Sequence, residues 1–315
     1  MEMTSAPPAI LLLHPLLNRI SPRLKTIAEI CSLEDLNRTP SVAHRVRVIA
    51  SIGTIPFNAA VLDQLPALGA IVCMSAGYDA IDTGLLTQRG ILLANAPGAG
   101  TDDVAELSLA LALASLRRIQ GGDALVRGGG WTAANRGERR RSLFRSNVGI
   151  VGLGSIGQRA ARLFRAIGAE VAWWGPREKP KASYPRATTL RALAEQSDVL
   201  VLTLPLSEET RGLVDRTVID ALGPDGLLIN VARGPIVDED ALCNALVEGR
   251  LGAAALDVFV EEPTPASRWA NVPNVLLSPH AGAYTFDAAE RLNDLVVANI
   301  ARFLTDGTLL TPVRA

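Results

Sequence analysis

"NVGIVGLGSIGQRAARLFRAIGAEVAWW", residues 147–174, decides the fold. An apolar run, "NVGIVGL", leads into Gly152, Gly154 and Gly157 at the spacing G-x-G-x-x-G. A helical pattern follows, and then a second apolar run, "EVAWW". A strand, a glycine turn, a helix and a strand make a βαβ unit. Its glycines have separate physical tasks. The first permits a tight turn, the second lets backbone approach a pyrophosphate, and the third lets the helix pack on the strand. Ser155, Ile156 and Gly157 open the helix, where unpaired N–H groups and the helix dipole favour an anion. Together they predict a dinucleotide site.

Outward from this stretch the same alternation continues. "DVLVLTL" (198–204), "GLLINV" (226–231), "AAALDVF" (253–259) and "NVLLSP" (274–279) read as buried strands. "TLRALAEQS", "RTVIDALG" and "DEDALCNALVEG" read as helices between them, the last with Asp238 as N-cap and Gly249 closing it. Upstream, "AILLLHP" (9–15), "RVRVIAS" (45–51), "AIVCMS" (70–75) and "ILLANAP" (91–97) repeat the theme more weakly. Such alternation predicts an α/β protein of parallel sheets covered on both faces.

"APGAG" (96–100) is a natural crossover, with Thr101 or Asp102 capping a long helix over 102–118. That helix is apolar nearly all round and must be buried on several sides, by another subunit or by the interdomain core. The amphipathic tail "AAERLNDLVVANIARFL" (288–304) is expected to return to the first domain. The expected domains are therefore 1–97 with 286–315, and 98–285.

At 315 residues two domains are expected, and 48% hydrophobic residues suffice for their cores. The net charge of -1 gives no general drive toward nucleic acid or membrane. Arg136, Arg139, Arg140, Arg141 and Arg145 form a local basic cluster, either a solvated loop or a seat for a phosphate or acidic partner. Cys31, Cys73 and Cys243 lack metal-ligand spacing and are odd in number, which suits no disulfide framework and a reducing, cytoplasmic location. "AILLLHPLL" (9–17) lacks a preceding basic region and holds Pro15, so it reads as a strand rather than a signal peptide. The apolar stretch from Val104 to Leu116 is too short to span a membrane.

An NAD site ordinarily keeps an acid about 20 residues beyond the glycines, where it accepts hydrogen bonds from the adenosine ribose. Here that place falls on Trp174 to Arg177, and no Asp or Glu lies between Val171 and Arg177. Arg177, Lys179 and Lys181 instead present three cations in five residues. They read either as a basic surface turn or as the seat of a 2′-phosphate; we read the site as NADP(H)-binding.

With the glycines placed, the chain resembles the D-isomer-specific 2-hydroxyacid dehydrogenases, most of all the glyoxylate/hydroxypyruvate reductase branch. "SAGYDAID" (75–82), "NAPG" (95–98), "TDDVAE" (101–106), "VGIVGLGSIG" (148–157), "LPLSEETRGL" (204–213), "INVARGPIVDEDAL" (229–242), "ALDVFVEEP" (255–263) and "LLSPHAG" (276–282) carry the likeness. The resemblance implies two doubly wound domains, one Rossmann-like and one flavodoxin-like, an active cleft between them, a homodimer, and reduction of 2-oxo acids. The strand end "WWGPR" departs from the "YD" of NAD-type members and is similar to NADP-type members.

Of three histidines, His14 and His44 lie in or beside apolar runs and read as structural. His280 ends a predicted strand of the cofactor domain, an address shared by Arg233, Asp257 and Glu262. In open α/β sheets ligands bind beyond the carboxyl ends of strands. The family's Arg–Glu–His order falls on Arg233, Glu262 and His280. A guanidinium fork suits a carboxylate, an imidazole titrates near neutrality and can donate a proton, and an adjacent carboxylate can orient it.

The resemblance also places Asp257 against the nicotinamide carboxamide. It makes Val104, Thr203, Leu204, Pro205, Val231, Ala232 and Gly282 cofactor-lining, with Thr210 and Ser207 near the phosphates. The backbone amides of Ala76 and Gly77 are implied to receive the substrate carboxylate, with Arg233 and His280 completing that site. Tyr78 either faces substrate or packs. Alternatives left open are a D-lactate or phenylpyruvate dehydrogenase, and a non-catalytic scaffold that senses NADP(H).

Overall fold

The structure is a computed structural model that describes residues 6–137 and 139–313. It divides into two compact units, residues 1–100 with 286–315, and residues 101–285.

In the first unit β1 (Ala9–Leu12), β2 (Glu29–Cys31), β3 (Val46–Ser51), β4 (Ala70–Cys73) and β5 (Leu92–Ala94) form one sheet in the order β2-β1-β3-β4-β5. Every pairing is parallel. The central strands read as continuous apolar runs because both faces are covered. Leu11, Ile49 and Ile71 pack on one face with Leu36 and Leu62. Ile10, Val48 and Val72 pack on the other with Val296, Ile300 and Phe303. The last three recur every turn of the helix Phe286–Asp306, so its apolar stripe closes this face. β2 was not legible beforehand: three residues at a sheet edge, two of them half-buried, leave no periodic signal.

In the second unit β6 (Asn147–Val151), β7 (Glu170–Trp174), β8 (Val199–Leu202), β9 (Leu227–Asn230), β10 (Ala253–Leu256) and β11 (Val275–Leu277) form a parallel sheet in the order β11-β10-β9-β8-β6-β7. The chain leaves β6 toward β7 on one side and then returns to lay β8 on the other. The carboxyl end of β6, with its glycines, therefore stands at the topological switch point where such sheets bind ligands. Thr189, Asp215 and Asp238 cap their helices by accepting from backbone N–H groups, as small polar residues do at helix starts. Both sheets bear out the doubly wound α/β class.

Two features differ from expectation. The long helix begins at Thr101, so Thr101 and Asp102 form its first turn rather than its cap. It also stops at Leu116, because Arg118 takes a left-handed backbone (φ 47°) before a second helix, Ile119–Arg127. Along this helix Leu107, Leu109 and Leu113 are half-buried within the single chain, which leaves its expected burial by a second subunit untouched. The helix Ile119–Arg127 buries none of its residues, and Ile119, Val126, Trp131 and Phe144 are all exposed.

Two arginines of the basic cluster tie back to their own unit. Arg141 pairs with Asp198 at 2.9 Å and donates to the Asp225 carbonyl, while Arg140 donates to the Arg117 carbonyl at 3.1 Å. Among the described residues no helix is long and apolar enough to cross a membrane.

Candidate active site

The glycine turn follows β6, and backbone angle and packing call for glycine at two of its three positions. Gly152 adopts φ +94°, and a Cβ there would meet Leu204 at 2.7 Å. A Cβ on Gly157 would lie 2.0 Å from the Gly152 carbonyl oxygen and 2.7 Å from the Thr203 hydroxyl. Gly154 is the opposite case: nothing lies within 4 Å of an added Cβ, and Gly154 and Ser155 are exposed. The 12-residue helix Ser155–Ala166 starts there with no side-chain cap. An open cradle at an uncapped helix N-terminus fits a pyrophosphate. Thr203 sends its hydroxyl back to the Gly152 carbonyl at 2.6 Å, so it braces the turn. Thr210 likewise holds its own loop, donating to Pro205 at 2.8 Å and accepting from the Ser207 N–H at 2.7 Å. Val231 and Ala232 are buried just after β9.

Beyond β7 the basic segment is anchored rather than loose. The Trp174 carbonyl accepts from the Gly152 N–H at 2.7 Å, which ties this strand end to the glycine turn. Lys179 reaches the Leu153 carbonyl at 2.6 Å, bringing its ammonium beside the same turn. Arg177 is exposed and, among the described residues, has no hydrogen bond or ion pair. Arg186 went unread in the sequence. It lies over the Trp173 ring, 5.6 Å from the centroid, and donates to the Gly175 carbonyl at 2.9 Å. It reaches this place because residues 184–187 run alongside β7, with Trp173 bridging to Arg186, a register that no spacing in the sequence announces.

Glu262 and His280, 18 positions apart in the chain, come together. Glu262 Oε2 lies 2.6 Å from His280 Nδ1, and Glu262 Oε1 accepts from the Phe259 N–H at 3.0 Å. Burial alone would raise the Glu262 carboxyl. The hydrogen bonds from His280 and Phe259, together with the positive charges of His280 and Arg233, outweigh it and hold the pKa below the ordinary carboxylate value. With Nδ1 so engaged, Nε2 has no partner among the described residues, and the side chain is 37% exposed. That leaves Nε2 as the nitrogen able to pass a proton to a ligand.

Asp257 explains how His280 is held. The His280 backbone is left-handed (φ 51°), a conformation that costs a non-glycine residue about 1–3 kcal/mol. Asp257 accepts His280 N–H on its carbonyl at 2.8 Å, and its carboxylate accepts from Ala281 and Gly282 N–H at 2.8 and 2.9 Å. The residue is only 2% exposed. The carboxylate expected to face a carboxamide is thus engaged, through both oxygens, in the turn that carries His280. Gly282 also abuts Val104, which would stand 3.1 Å from an added Cβ.

Arg233 follows β9 and is half-buried, its guanidinium touching the Ala232 carbonyl at 2.7 Å. The buried side chain of Asn230 shapes this turn, accepting from Ala232 N–H and donating to the Arg233 carbonyl, both at 3.0 Å. No role had been read for Asn230; the signal was a lone amide ending an apolar strand. Gly234 is required by packing, since a Cβ would stand 1.9 Å from the Phe259 carbonyl carbon.

In the first unit the loop after β4 carries Ala76 and Gly77. Their carbonyls are engaged, while among the described residues neither of their N–H groups has a partner. Two adjacent free amides make a concavity that suits an anion. Tyr78 is half-buried and packs against the core of this unit. His14 is structural in kind: its Nδ1 accepts from the Leu16 N–H at 3.2 Å and caps a short helical turn.

Comparison with known proteins identifies the family of the chain. The family described as D-isomer specific 2-hydroxyacid dehydrogenase, NAD binding domain, matches residues 109–282. Glyoxylate/hydroxypyruvate reductase A of Arabidopsis thaliana is 41% identical over 270 residues, 85% of each protein. The 2-ketogluconate reductase of Gluconobacter oxydans is 38% identical over 312 residues, covering 98% of this chain and 99% of that protein. Among solved structures, the NADPH-dependent glyoxylate/hydroxypyruvate reductase of Sinorhizobium meliloti, in complex with NADP and malonate, superposes with a TM-score of 0.89. It is 32% identical, with 97% of this chain and 96% of that chain covered. The chain therefore belongs to the D-isomer specific 2-hydroxyacid dehydrogenase family, as an NAD(P)-dependent reductase of 2-oxo acids.

Proposed function

We propose that the protein reduces small 2-oxo acids with NADPH, glyoxylate and hydroxypyruvate first, yielding D-glycerate from the latter. The observation that carries the chemistry is the Glu262–His280 contact, which leaves Nε2 free to act. Arg177, exposed and unpartnered beside Lys179, supports NADPH over NADH, because a 2′-phosphate needs cations where a ribose hydroxyl needs an acid. The named relatives act on related acids, and the Sinorhizobium meliloti structure holds NADP.

In this reading the second unit binds the cofactor through Gly152, Gly154, Ser155, Ile156, Gly157, Trp174 and Arg177, and the first unit binds substrate. The bound dinucleotide supplies a hydride to C2 of the oxo acid. His280 gives the Nε2 proton to the C2 oxygen, so carbon gains hydride and oxygen gains proton. Glu262 orients the ring for the transfer. Arg233 and the amides of Ala76 and Gly77 hold the carboxylate and the polarised oxo group.

The same reading makes the protein a homodimer. Exposed Ile119, Val126, Trp131 and Phe144, with the half-buried leucines of the helix Thr101–Leu116, are the apolar surface a partner copy would cover. The free, unbridged cysteines support a reducing cytoplasm.

Initial rates with NADPH and NADH against glyoxylate, hydroxypyruvate, 2-ketogluconate, pyruvate and phenylpyruvate test the proposal. Turnover led by NADPH with glyoxylate or hydroxypyruvate supports it. Preference for pyruvate or phenylpyruvate makes the protein a D-lactate-type or phenylpyruvate-type dehydrogenase. NADPH binding without turnover on any acid makes it a sensing scaffold.

A further inference from the structure

Two successive peptides in the loop after β4 are turned the same way. The Ser75 carbonyl accepts from the Ala96 N–H at 2.9 Å. The Ala76 carbonyl accepts from the Asn95 side-chain Nδ2 at 2.6 Å. In an extended strand successive carbonyls point to opposite sides, so a regular ladder cannot take both. The backbone of residue 96 takes the first, and the side chain of residue 95 takes the second. A carbonyl only accepts, so the Asn95 amide must present its nitrogen there.

The planarity of the peptide converts this into a statement about the other side of the loop. The carbonyl of one residue and the N–H of the next lie in one trans plane and point opposite ways. Holding the Ser75 oxygen aims the Ala76 N–H away from segment 95–96, and holding the Ala76 oxygen aims the Gly77 N–H away likewise. These are the two N–H groups without protein partners among the described residues. Ser75 Oγ secures the following peptide, accepting from Gly53 N–H at 2.9 Å and donating to the Gly77 carbonyl at 2.7 Å.

Asn95 is itself fixed from behind. Its carbonyl accepts from the Thr311 hydroxyl at 2.6 Å. The fully buried Asn299 donates to that hydroxyl at 3.0 Å and accepts from the Leu310 and Thr311 N–H groups. Segment 310–313 thus docks on the end of β5, where Val313 N–H also reaches the Leu93 carbonyl at 2.8 Å.

We infer that Asn95 is the positioning residue of the anion-receiving peptides: its amide sets the Gly77 N–H toward the substrate carboxylate and so governs affinity for the oxo acid. The inference rests on the reading that Ala76 and Gly77 receive that carboxylate.

The test compares Asn95→Ala and the isosteric Asn95→Asp with the wild type, using hydroxypyruvate for turnover and oxamate as a non-reacting carboxylate probe. Asn95→Ala is expected to raise the KM for hydroxypyruvate and the Kd for oxamate about ten-fold or more. The Kd for NADPH should stay within two-fold, and kcat should fall less than KM rises. Asn95→Asp replaces the donor with a repelling anion and should raise both constants further. Should Asn95→Ala fail to fold, Asn95→Asp, which keeps the side-chain shape, decides alone.

Thr311→Val separates positioning from packing. It loosens the tail without removing the donor to Ala76, so it should lower Tm while raising KM less than three-fold. A KM within two-fold of wild type in folded Asn95→Ala overturns the inference. So does an equal rise in KM for Thr311→Val. A wild-type protein that neither reduces hydroxypyruvate nor binds oxamate overturns the reading beneath it, and the inference with it. Normal wild-type turnover with an indifferent Asn95→Ala leaves that reading standing and removes only Asn95.

Discussion

His280 Nδ1 and Glu262 Oε2 lie 2.6 Å apart, and that contact decides which nitrogen of the ring is available for chemistry. A carboxylate accepts, so Nδ1 carries its proton toward Glu262 and Nε2 is left to face a ligand. The pair sits at the carboxyl ends of β10 and β11, placed there by two loops rather than by nearness in sequence.

Glu262→Gln keeps the shape of the pair and removes its charge. A charge-assisted hydrogen bond is worth about 1.5–3 kcal/mol, so kcat should fall roughly 10- to 150-fold with NADPH affinity unchanged. Steady-state kinetics with a fluorescence titration of NADPH read both. An unaltered kcat would remove Glu262 from the chemistry.

The lowered pKa of Glu262 also sets the sign of a stability effect. A carboxyl that is more acidic in the folded state contributes stability in full above its ordinary pKa, and loses it as pH falls through the folded value. The stabilisation that the ionised Glu262 contributes relative to Glu262→Gln, read as a Tm difference, should therefore shrink as pH falls below about 5. A difference that widens toward acid would contradict the assigned direction.

Asp257→Asn places an amide where a carboxylate accepts two backbone N–H groups at 2.8 and 2.9 Å. One N–H loses its acceptor or faces an NH2 group, at a cost of about 1–3 kcal/mol for a buried unsatisfied donor. Differential scanning calorimetry should show a clear loss of Tm. Because the same bonds hold the left-handed His280, kcat should fall as well. A variant that is destabilised yet fully active would show that the turn does not position the imidazole.

Gly234→Ala tests a glycine fixed by packing rather than by dihedral angle. Its Cβ would stand 1.9 Å from a backbone carbon of Phe259, a contact that no rotamer relieves. Overpacking of this sort costs about 1–3 kcal/mol or more, and the shift passes directly to Arg233. The expected result is lower stability and a raised KM for the oxo acid, read by thermal unfolding and by kinetics. Wild-type values for both would mean that residues 259–260 move aside freely.

The βαβ periodicity around Gly152, Gly154 and Gly157 was legible because β6 is a buried apolar run and the glycine spacing marks the turn from it into the amphipathic helix Ser155–Ala166. β2 was not, since three residues at an edge carry no period. The Arg233, Glu262 and His280 addresses were legible from strand ends, whereas the contacts of Asn230, Asp257 and Asn95 were not. Asn230 acts within its own turn, while Asp257 and Asn95 act on backbone groups of distant loops, and nothing in a residue's own surroundings along the chain marks which loop will lie beside it. Arg186 was missed for a related reason: it depends on the register of residues 184–187 along β7.

Arg177→Ser tests the cofactor reading where it is most exposed to failure. The arginine follows a strand end tied to the glycine turn through the Trp174 carbonyl, yet makes no bond of its own among the described residues. A side chain held by nothing in the protein loses little when removed, so Tm should be unchanged. If it grips a 2′-phosphate, kcat/KM for NADPH should fall about 10- to 150-fold, the span of one charge-assisted contact, while kcat/KM for NADH stays level. The loss should also shrink at high ionic strength, where the contact in the wild type is itself screened. Equal losses with both cofactors would mean that Arg177 supports the loop and not the phosphate. No loss with either would return the basic segment to an ordinary surface turn and leave the preference to Lys179 or Arg186.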